Sequence, residues 1–226
     1  MTGRATTGDE ALTRDGLAVC GASPQGPGPG PTAGAQTRVL VIGCGAIARE
    51  ILAVLAANGL THVDVTCLPA ILHNTPGKIV PAMQAALARH RADYARIFVA
   101  YADCGTGGAL AALCEAEGVE MLEGPHCYSF FEGNAAFAAR QEVTSFFLTD
   151  FLARQFETFV IRPLGLDRYP ELTTTYFGNY EKLVYLAQTD DPALDAMARA
   201  AAKCLGLAFE RRFTGYGDLA PALAAL

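Results

Sequence analysis

Residues 38–59, with the sequence RVLVIGCGAIAREILAVLAANG, decide the fold class of this chain. The run 38–42 is short, apolar and rich in β-branched residues, as expected of a buried strand. Over residues 46–58 the apolar side chains recur with helical spacing, and Asn58-Gly59 is typical of a helix C-terminus. The stretch therefore predicts one strand and one helix, joined by a tight glycine-containing turn at 43–45.

The same alternation continues along the chain. Further strands are predicted at 63–68, 95–101, 119–122, 183–187 and 207–213, and helices at 76–90, 106–117, 128–140, 150–156 and 192–205, with a short one from 218. Strands separated by helices predict βαβ units and parallel pairing. We therefore predict an α/β fold with three layers, in which a mostly parallel open sheet carries helices on both faces.

The first 37 residues differ in composition from the rest. They are rich in Gly, Pro, Ala and Thr. Such a stretch cannot bury enough apolar surface to offset the entropy lost on ordering. We expect residues 1–37 to form a disordered extension and residues 38–226 to fold as a single α/β domain.

Composition limits the class of function. The formal net charge of −6 argues against general nucleic-acid binding, which needs a basic face for phosphates. No window approaches the run of about 18 apolar residues that marks a membrane span, and no secretory signal precedes the first strand. We expect a cytoplasmic protein with a small-molecule ligand and without nucleic-acid or membrane partners.

Seven cysteines are many for such a domain. The odd number and the chain length do not fit the disulfide framework of a small secreted protein. Three of the cysteines lie in apolar strand or helix patterns and are expected to be buried small hydrophobic residues: Cys67, Cys114 and Cys204. Cys20 lies in the predicted extension and is given no role.

The other three cysteines each follow a predicted strand, in the runs GCG (43–45), DCG (103–105) and HC (126–127). Right-handed crossovers bring the carboxyl ends of parallel strands to one edge of a sheet, where ligands bind. We predict one metal site at this edge with four ligands: Cys44, Cys104, His126 and Cys127. Sulfur with imidazole suits zinc best, and an iron–sulfur cluster is the alternative.

The turn after the first strand also matches the dinucleotide-binding pattern G-x-G-x-x-A at 43–48. Gly43 and Gly45 are therefore candidate cofactor-binding residues. The pattern also needs an acidic residue at the end of the second strand, which is absent here, so nucleotide binding is disfavoured. Two other interpretations stay open: a turn that aims Cys44 at the site, with backbone amides favouring its thiolate, or a structural turn with an inert cysteine.

The run Asp103-Cys-Gly-Thr-Gly-Gly108 is the most specific local feature. Its small residues free the backbone to wrap a ligand, so we name Gly105, Thr106 and Gly107 as candidate cofactor-binding residues. Asp103 is a candidate catalytic residue, with helix N-capping as the alternative.

His73 follows the second predicted strand and reaches the same predicted edge. It is a candidate catalytic acid or base, or a further metal ligand. The alternative is a polar loop in which Asn74 begins a turn.

Six runs occur in a fixed order: LHNTP (72–76), DCGTGG (103–108), GPHCY (124–128), LTDFL (148–152), GLDR (165–168) and AQTDD (187–191). Together they resemble a bacterial and archaeal family, the domain of unknown function 1638. The family usually has Glu after the GPHCY run, where this chain has Ser129.

The resemblance implies a context rather than a reaction, because members often lie near genes for corrinoid-dependent methyl transfer. Three hypotheses follow. The protein is a metal-binding protein of one-carbon or methyl-transfer metabolism, a metal-free two-cysteine enzyme similar to amino-acid racemases, or an accessory protein that delivers a cofactor to a corrinoid protein or methyltransferase. The sequence leaves open whether it is an enzyme.

Overall fold

A computed structural model describes residues 8–21 and 38–226 of the chain. The chain divides into two compact units. The first unit comprises Met1–Cys127 and Asp218–Leu226, and the second comprises Tyr128–Gly217. Each unit has its own sheet.

The strands form two sheets in which parallel pairing dominates. The first unit contains five strands in the order β1-β3-β2-β4-β5: β1 (Leu17–Gly21), β2 (Val39–Cys44), β3 (Val63–Leu68), β4 (Arg96–Ala100) and β5 (Glu120–Met121). The second unit contains three in sequential order: β6 (Ser145–Thr149), β7 (Lys182–Ala187) and β8 (Ala208–Phe213). All described pairs are parallel except β1 with β3.

Helices connect these strands. In chain order they are α1 (Asp9–Arg14), α2 (Ala48–Ala57), α3 (Ile79–His90), α4 (Ala109–Ala116), α5 (Ser129–Glu132), α6 (Asn134–Arg140), α7 (Asp150–Arg154), α8 (Leu172–Phe177), α9 (Pro192–Leu205) and α10 (Leu219–Ala224). Short 3-10 helices cover Gly45–Ile47, Ala70–Asn74 and Pro76–Lys78, and one π-helical turn covers Glu157–Ile161.

The first unit confirms the predicted α/β class. Every residue of β2 is buried, as expected of a central parallel strand that is covered on both faces. Crossovers between parallel strands are right-handed, so the direction of each step across the sheet decides which face the connection covers. The β2–β3 connection therefore lies on one face, and the β3–β4 and β4–β5 connections lie on the other. The packing follows this rule, since α2 contacts α10 and α3 contacts α4. Helices therefore cover the sheet as two outer layers.

The second unit is built on β6, β7 and β8. Its core includes Leu148, Tyr185 and Ala198. The buried carboxylate of Asp150 accepts hydrogen bonds from the Tyr185 hydroxyl at 2.7 Å and from the backbone N–H groups of Gln188 and Thr189 at 3.1 and 3.0 Å. This carboxylate joins the ends of β6 and β7, which fixes the register of the sheet.

The structure differs from the predicted disordered extension of residues 1–37. Within it, Asp9–Arg14 forms α1 and Leu17–Gly21 forms β1, which pairs with the edge of β3. The physical reason is that Leu12 and Leu17 bury their side chains almost completely, which offsets the cost of ordering so short a segment. The rest of the predicted extension, residues 1–7 and 22–37, lies outside the described residues.

The region predicted as a single domain, 38–226, contributes to two compact units, each with its own sheet, and its folding as one domain stays a prediction. One expectation about the cysteines needs correction. Cys67 and Cys114 are buried as predicted, whereas Cys204 is exposed near the end of α9, where the helix turns that side chain away from the core. In the part of the chain that the structure describes, no helix has the length and apolarity that crossing a bilayer requires.

Candidate metal centre

The centre lies at the carboxyl edge of the sheet in the first unit. From β2 the chain moves to β3 on one side, and it later returns to β4 on the other side of β2. Ligands of α/β proteins bind at such a reversal of strand order, because the loops on either side separate and leave a crevice. Cys44 ends β2, and Cys104 follows β4, so two of the predicted ligands flank this position.

The Cys44 sulfur is held by the turn that it begins. The Ala46 N–H group points at the Cys44 Sγ atom at 3.3 Å, which caps the 3-10 helix Gly45–Ile47. Cys44 is fully buried. The interpretation that this turn aims Cys44 and stabilises its thiolate through backbone amides therefore agrees with the geometry.

His73 reaches Cys44 from the neighbouring strand. It lies in the 3-10 helix Ala70–Asn74 after β3, which pairs directly with β2. Its Nδ1 atom is 2.9 Å from the Ala70 carbonyl oxygen and 3.9 Å from the Cys44 Sγ atom. A backbone carbonyl that accepts one ring N–H fixes the orientation of the imidazole and leaves the other ring nitrogen free to bind a metal. This arrangement is usual for metal-binding histidines.

Cys104 and Cys127 come from two loops that run side by side. The Asp103 N–H group donates to the Gly124 carbonyl and the Cys104 N–H group donates to the Pro125 carbonyl, each at 3.0 Å. The two sulfur atoms are 3.4 Å apart and both residues are buried. Cys104 has a φ of +46°, an unusual backbone conformation for a residue with a side chain, which the surrounding loop must hold in place.

Three donor atoms meet within metal-binding distance. One ligand atom from each of Cys44, His73 and Cys127 lies within 4.8 Å of the other two. Cys104 joins this group through its contact with Cys127. Together these four residues, called the thiol cluster below, present three sulfur atoms and one imidazole.

Charge is distributed unevenly over the thiol cluster. The Cys127 thiol hydrogen-bonds to the Cys104 sulfur and, with help from His73, lowers the pKa of Cys104 to about 5. Burial opposes ionisation of Cys44, but the Cys127 thiol and the charge of His73 together hold the pKa of Cys44 well below its usual value. The pKa of Cys127 is raised by its hydrogen bonds to the other two sulfurs.

The imidazole is the positive member of the cluster. Burial alone would lower the pKa of His73, but the neighbouring Cys44 and Cys104 thiolates raise it well above its usual value. The lowered pKa values of Cys44 and Cys104 and the raised pKa of His73 all favour the charged forms, and a charge in a buried site is costly unless an opposite charge compensates it.

Tyr101 adds a hydroxyl that the sequence analysis did not select. Its side chain is fully buried directly after β4, and its ring stacks on that of His73 with 5.7 Å between centroids. Among the described residues, the Tyr101 Oη atom makes no hydrogen bond of good geometry, although the Cys44 sulfur is close enough to interact with it. Burial, together with the charges of the three sulfurs, raises the pKa of Tyr101, so the hydroxyl keeps its proton. The sequence pattern shows Tyr101 as an aromatic residue at the end of a predicted strand. Its place at that strand end is the one signal that could have marked it as a site residue.

Asp103 caps its own loop. Its carboxylate accepts hydrogen bonds from the Thr106 hydroxyl at 2.8 Å and from the N–H groups of Gly107 and Gly108 at 3.1 and 2.6 Å. The bond from Gly108 contributes most to lowering the pKa of Asp103. This arrangement matches the capping alternative, while the proposed catalytic role of Asp103 stays a prediction.

The predicted cofactor-binding glycines shape the turns around the cluster. Gly105 and Gly107 have φ values of +85° and +63°, and a Cβ atom on Gly105 would lie 3.3 Å from the ring of Pro76. On the other side, Gly43 and Gly45 are approached by atoms of this chain, with Ile51 against Gly43 and the Leu12 carbonyl against Gly45. In a dinucleotide site, glycine lets the cofactor come close to the backbone. Here atoms of the protein itself occupy the space beside Gly43 and Gly45.

His126 does not belong to the group of three donor atoms among the described residues. Residues 125–128 form a bend and a turn, and Cys127 is the residue buried in the cluster. In the group of three donor atoms the imidazole belongs to His73, and the predicted metal-binding role of His126 stays a prediction.

A family model described as "Protein of unknown function (DUF1638)" matches residues 67–223, more than half of the chain. The chain belongs to this family. The segment that the family model matches contains His73, Tyr101, Cys104 and Cys127, whereas Cys44 precedes it. The resemblance predicted from the six sequence runs is therefore confirmed.

Other comparisons add little. A search of the curated proteins gives no significant match. A solved structure described as "RedJ-Thioesterase from the Prodiginine biosynthetic pathway in Streptomyces coelicolor" is 18% identical and covers 88% of this chain and 90% of that chain. Its TM-score is 0.26, a value that carries no argument about fold or activity.

Proposed function

We propose that this protein binds one transition-metal ion, with zinc as the best match, through Cys44, His73 and Cys127. The observation that carries the proposal is that their three donor atoms lie within 4.8 Å of one another. Zinc bonds of about 2.3 Å to sulfur and about 2.0 Å to nitrogen place tetrahedral ligand atoms roughly 3.5 Å apart. Closing the group by about 1 Å would complete the site, a shift that side-chain rotation can supply.

Cys104 is the proposed fourth ligand. Its sulfur is 3.4 Å from that of Cys127, close to the spacing of two thiolates on one zinc ion. Without Cys104, the other three residues would leave the open position that catalytic zinc sites keep. A metal ion held there would activate a bound thiol or polarise a substrate, which fits a role in one-carbon or methyl-transfer metabolism.

The identity of the metal follows from the donor set. Three sulfurs with one imidazole favour zinc, and an iron–sulfur cluster is the alternative that the same ligands allow. The two give different signals, because zinc is colourless and iron–sulfur clusters absorb visible light. Nucleotide binding stays disfavoured, since protein atoms already approach Gly43 and Gly45.

The metal-free racemase alternative has weaker support. A two-base enzyme holds its two acid–base groups on opposite sides of a substrate carbon. The Cys104 and Cys127 sulfurs are 3.4 Å apart, which leaves no space for a carbon atom between them. In the third hypothesis, an accessory protein that delivers a cofactor, the same residues would hold that cofactor transiently. Co-purification with a corrinoid protein or methyltransferase would favour this hypothesis.

The test is metal analysis of protein purified without air. We expect about one zinc ion per chain, and Cys44→Ser or His73→Ala to lower the metal affinity by more than roughly 100-fold, because each removes a direct ligand and the loss of an outer-shell partner already costs roughly 10- to 100-fold. His126→Ala is the matched control and should keep full metal content. Unfolding of each variant in a chelator separates lost binding from lost folding.

Two outcomes would contradict the proposal. One is wild-type protein that takes up no metal while all three cysteines of the thiol cluster alkylate freely. The other is equal metal content in wild type, Cys44→Ser and His73→Ala. A visible absorption band together with bound iron and sulfide would show that the site holds an iron–sulfur cluster and not zinc. The assignment of the ligands would stand.

A further inference from the structure

Cys104 and Cys127 are arranged like a dithiol about to become a disulfide. Their sulfurs are 3.4 Å apart, and a disulfide bond is about 2.05 Å long, so bond formation needs an approach of roughly 1.4 Å. Two backbone hydrogen bonds, from Asp103 to Gly124 and from Cys104 to Pro125, hold the two loops in parallel contact. The backbone therefore brings both sulfurs together without help from a metal ion.

The third sulfur of the cluster is held differently. Cys44 ends the central strand, and its Sγ atom accepts the Ala46 N–H group at 3.3 Å. No loop contact of the kind that joins Cys104 to Cys127 draws Cys44 towards either of them in the described backbone hydrogen bonds. Of the sulfurs in the cluster, the pair on the two loops combines a sulfur–sulfur distance of 3.4 Å with backbone hydrogen bonds that join the two loops.

We propose that Cys104 and Cys127 form a redox-active pair that a hydroperoxide oxidises to a disulfide. The same bond would switch off the metal centre, and this second part rests on the proposed function. Oxidation removes two sulfur donors at once, because a disulfide sulfur is a far weaker ligand than a thiolate.

The reaction balances with the hydroperoxide as oxidant. The Cys104 thiolate attacks the terminal oxygen of the hydroperoxide, the O–O bond breaks, and an alcohol (water, for hydrogen peroxide) leaves after taking a proton. The resulting sulfenic acid on Cys104 is attacked by the Cys127 sulfur. The S–S bond forms, the S–O bond breaks, and the hydroxide leaves as water with the Cys127 proton. Two thiols are oxidised and one hydroperoxide is reduced.

The redox step is tested on metal-free wild-type protein, so its outcome does not depend on metal binding. Equimolar hydrogen peroxide should lower the number of cysteines that alkylate after denaturation from seven to five. Peptide mapping should find one cross-link, between the peptides that contain Cys104 and Cys127. A dithiol reductant should restore all seven.

Variants check the assignment. Cys127→Ser should leave a sulfenic acid on Cys104 that a 1,3-dione reagent traps, and Cys104→Ser should abolish the cross-link. Cys204→Ser is the matched control, because it removes the exposed thiol and should leave the cross-link unchanged. Should a buried variant fail to fold, the peptide map of the wild type still decides.

The outcomes separate the two proposals. An unchanged thiol count, a cross-link from Cys44 to Cys127, or irreversible oxidation of one cysteine alone would overturn the redox proposal whether or not metal binds. For the switch, peroxide should release the bound zinc to a chelating dye in step with cross-link formation. Cross-linked protein that retains its zinc would overturn the switch and leave the disulfide standing.

Discussion

The hydroxyl of Tyr101 gives the thiol cluster a buried polar atom that interacts with the Cys44 sulfur but makes no well-formed hydrogen bond among the described residues. Burying a hydroxyl without a hydrogen bond costs free energy, and folded proteins avoid it outside functional sites. Here the Tyr101 ring stacks on His73, which places its Oη atom in the same part of the sheet edge as the sulfurs. We interpret this hydroxyl as a donor for a ligand of the centre.

Tyr101→Phe tests this interpretation. It removes one buried oxygen and keeps the ring, so we expect the metal-free protein to gain about 1 kcal/mol in free energy of unfolding, since the unsatisfied group is lost. Urea unfolding in a chelator measures the change. Tyr185→Phe is the matched control: the Tyr185 hydroxyl donates to Asp150 at 2.7 Å, and its loss should destabilise the protein. A destabilised Tyr101→Phe variant would mean that the hydroxyl has a structural partner.

At the level of single residues, the sequence placed the cysteines better than the histidine. Cys44, Cys104 and Cys127 each follow a strand, and the rule that parallel strands end at one edge brings them together. Choosing between His73 and His126 needed the strand order, because His73 becomes a neighbour of Cys44 only when β3 lies beside β2. His126 is a candidate because it lies in a loop beside Cys127 after a predicted strand, but a place in a turn does not determine where its side chain points.

Among the elements, an ion-pair network joins the three strands of the second unit. Arg212 of β8 donates to Glu142, which precedes β6, at 2.7 and 2.8 Å, and Lys182 of β7 contacts Glu142 at 3.2 Å. Only 12% of the Arg212 side chain is exposed, so solvent screens these contacts less than it screens surface pairs. The Arg212 guanidinium lowers the pKa of Glu142 to about 2.

This network predicts a pH dependence. The folded-state pKa of Glu142 lies below its usual value near 4.5, so its stabilising effect is complete above pH 4.5 and disappears as the pH falls towards 2. Glu142→Gln should lower the free energy of unfolding by about 2 kcal/mol at pH 7. Its difference from wild type should shrink between pH 4.5 and 2. Chemical unfolding over this range measures it.

Glu157→Gln is the control for that prediction. Glu157 pairs with Arg162 at 3.3 Å, but both side chains are exposed, so its effect should stay below about 0.5 kcal/mol at every pH. Equal effects of the two substitutions, or a Glu142→Gln effect that persists at pH 2, would contradict the assignment of the stabilisation to the buried network.

Sequence reasoning at the level of elements succeeded where the pattern was long and regular. The strand-turn-helix unit formed by β2 and α2 is apolar over nearly its full length, and α9 covers the predicted range 192–205 and begins after Asp191, whose side chain caps it. The short strand β6 was not predicted from the sequence, because the run SFFLT at 145–149 leads directly into a helix cap. Its pairing with β7 depends on contacts that are distant in sequence.

For the whole molecule, the α/β class was predictable and the role of the N-terminal segment was not. Composition identified residues 1–37 as unable to fold by themselves, and that argument considers only the segment's own side chains. The sheet supplies what the segment lacks: β1 adds to the edge of β3, and Leu12 inserts into a core made by other elements. A segment that folds only against a finished sheet has little signature of its own.

The N-terminal segment also contacts the turns that carry the proposed metal ligands, which links the fold to the proposed function. Helix α1 packs against both 3-10 helices at the edge, Gly45–Ile47 after Cys44 and Ala70–Asn74 with His73, and the Leu12 carbonyl lies against Gly45. Leu12→Ala should therefore lower the free energy of unfolding by about 2–5 kcal/mol and also weaken zinc binding, because it loosens the turns that carry two ligands.

Leu223→Ala separates the two effects. Leu223 of α10 is as completely buried as Leu12, but α10 runs to the opposite edge, where the Leu226 carbonyl contacts the His62 ring at 3.3 Å just before β3 begins. It should lose a similar amount of stability and keep the zinc affinity of the wild type. Calorimetric zinc titration below the unfolding temperature of each variant makes the comparison. Equal loss of affinity in both variants would show that binding follows global stability, and that α1 has no particular part in holding Cys44 and His73.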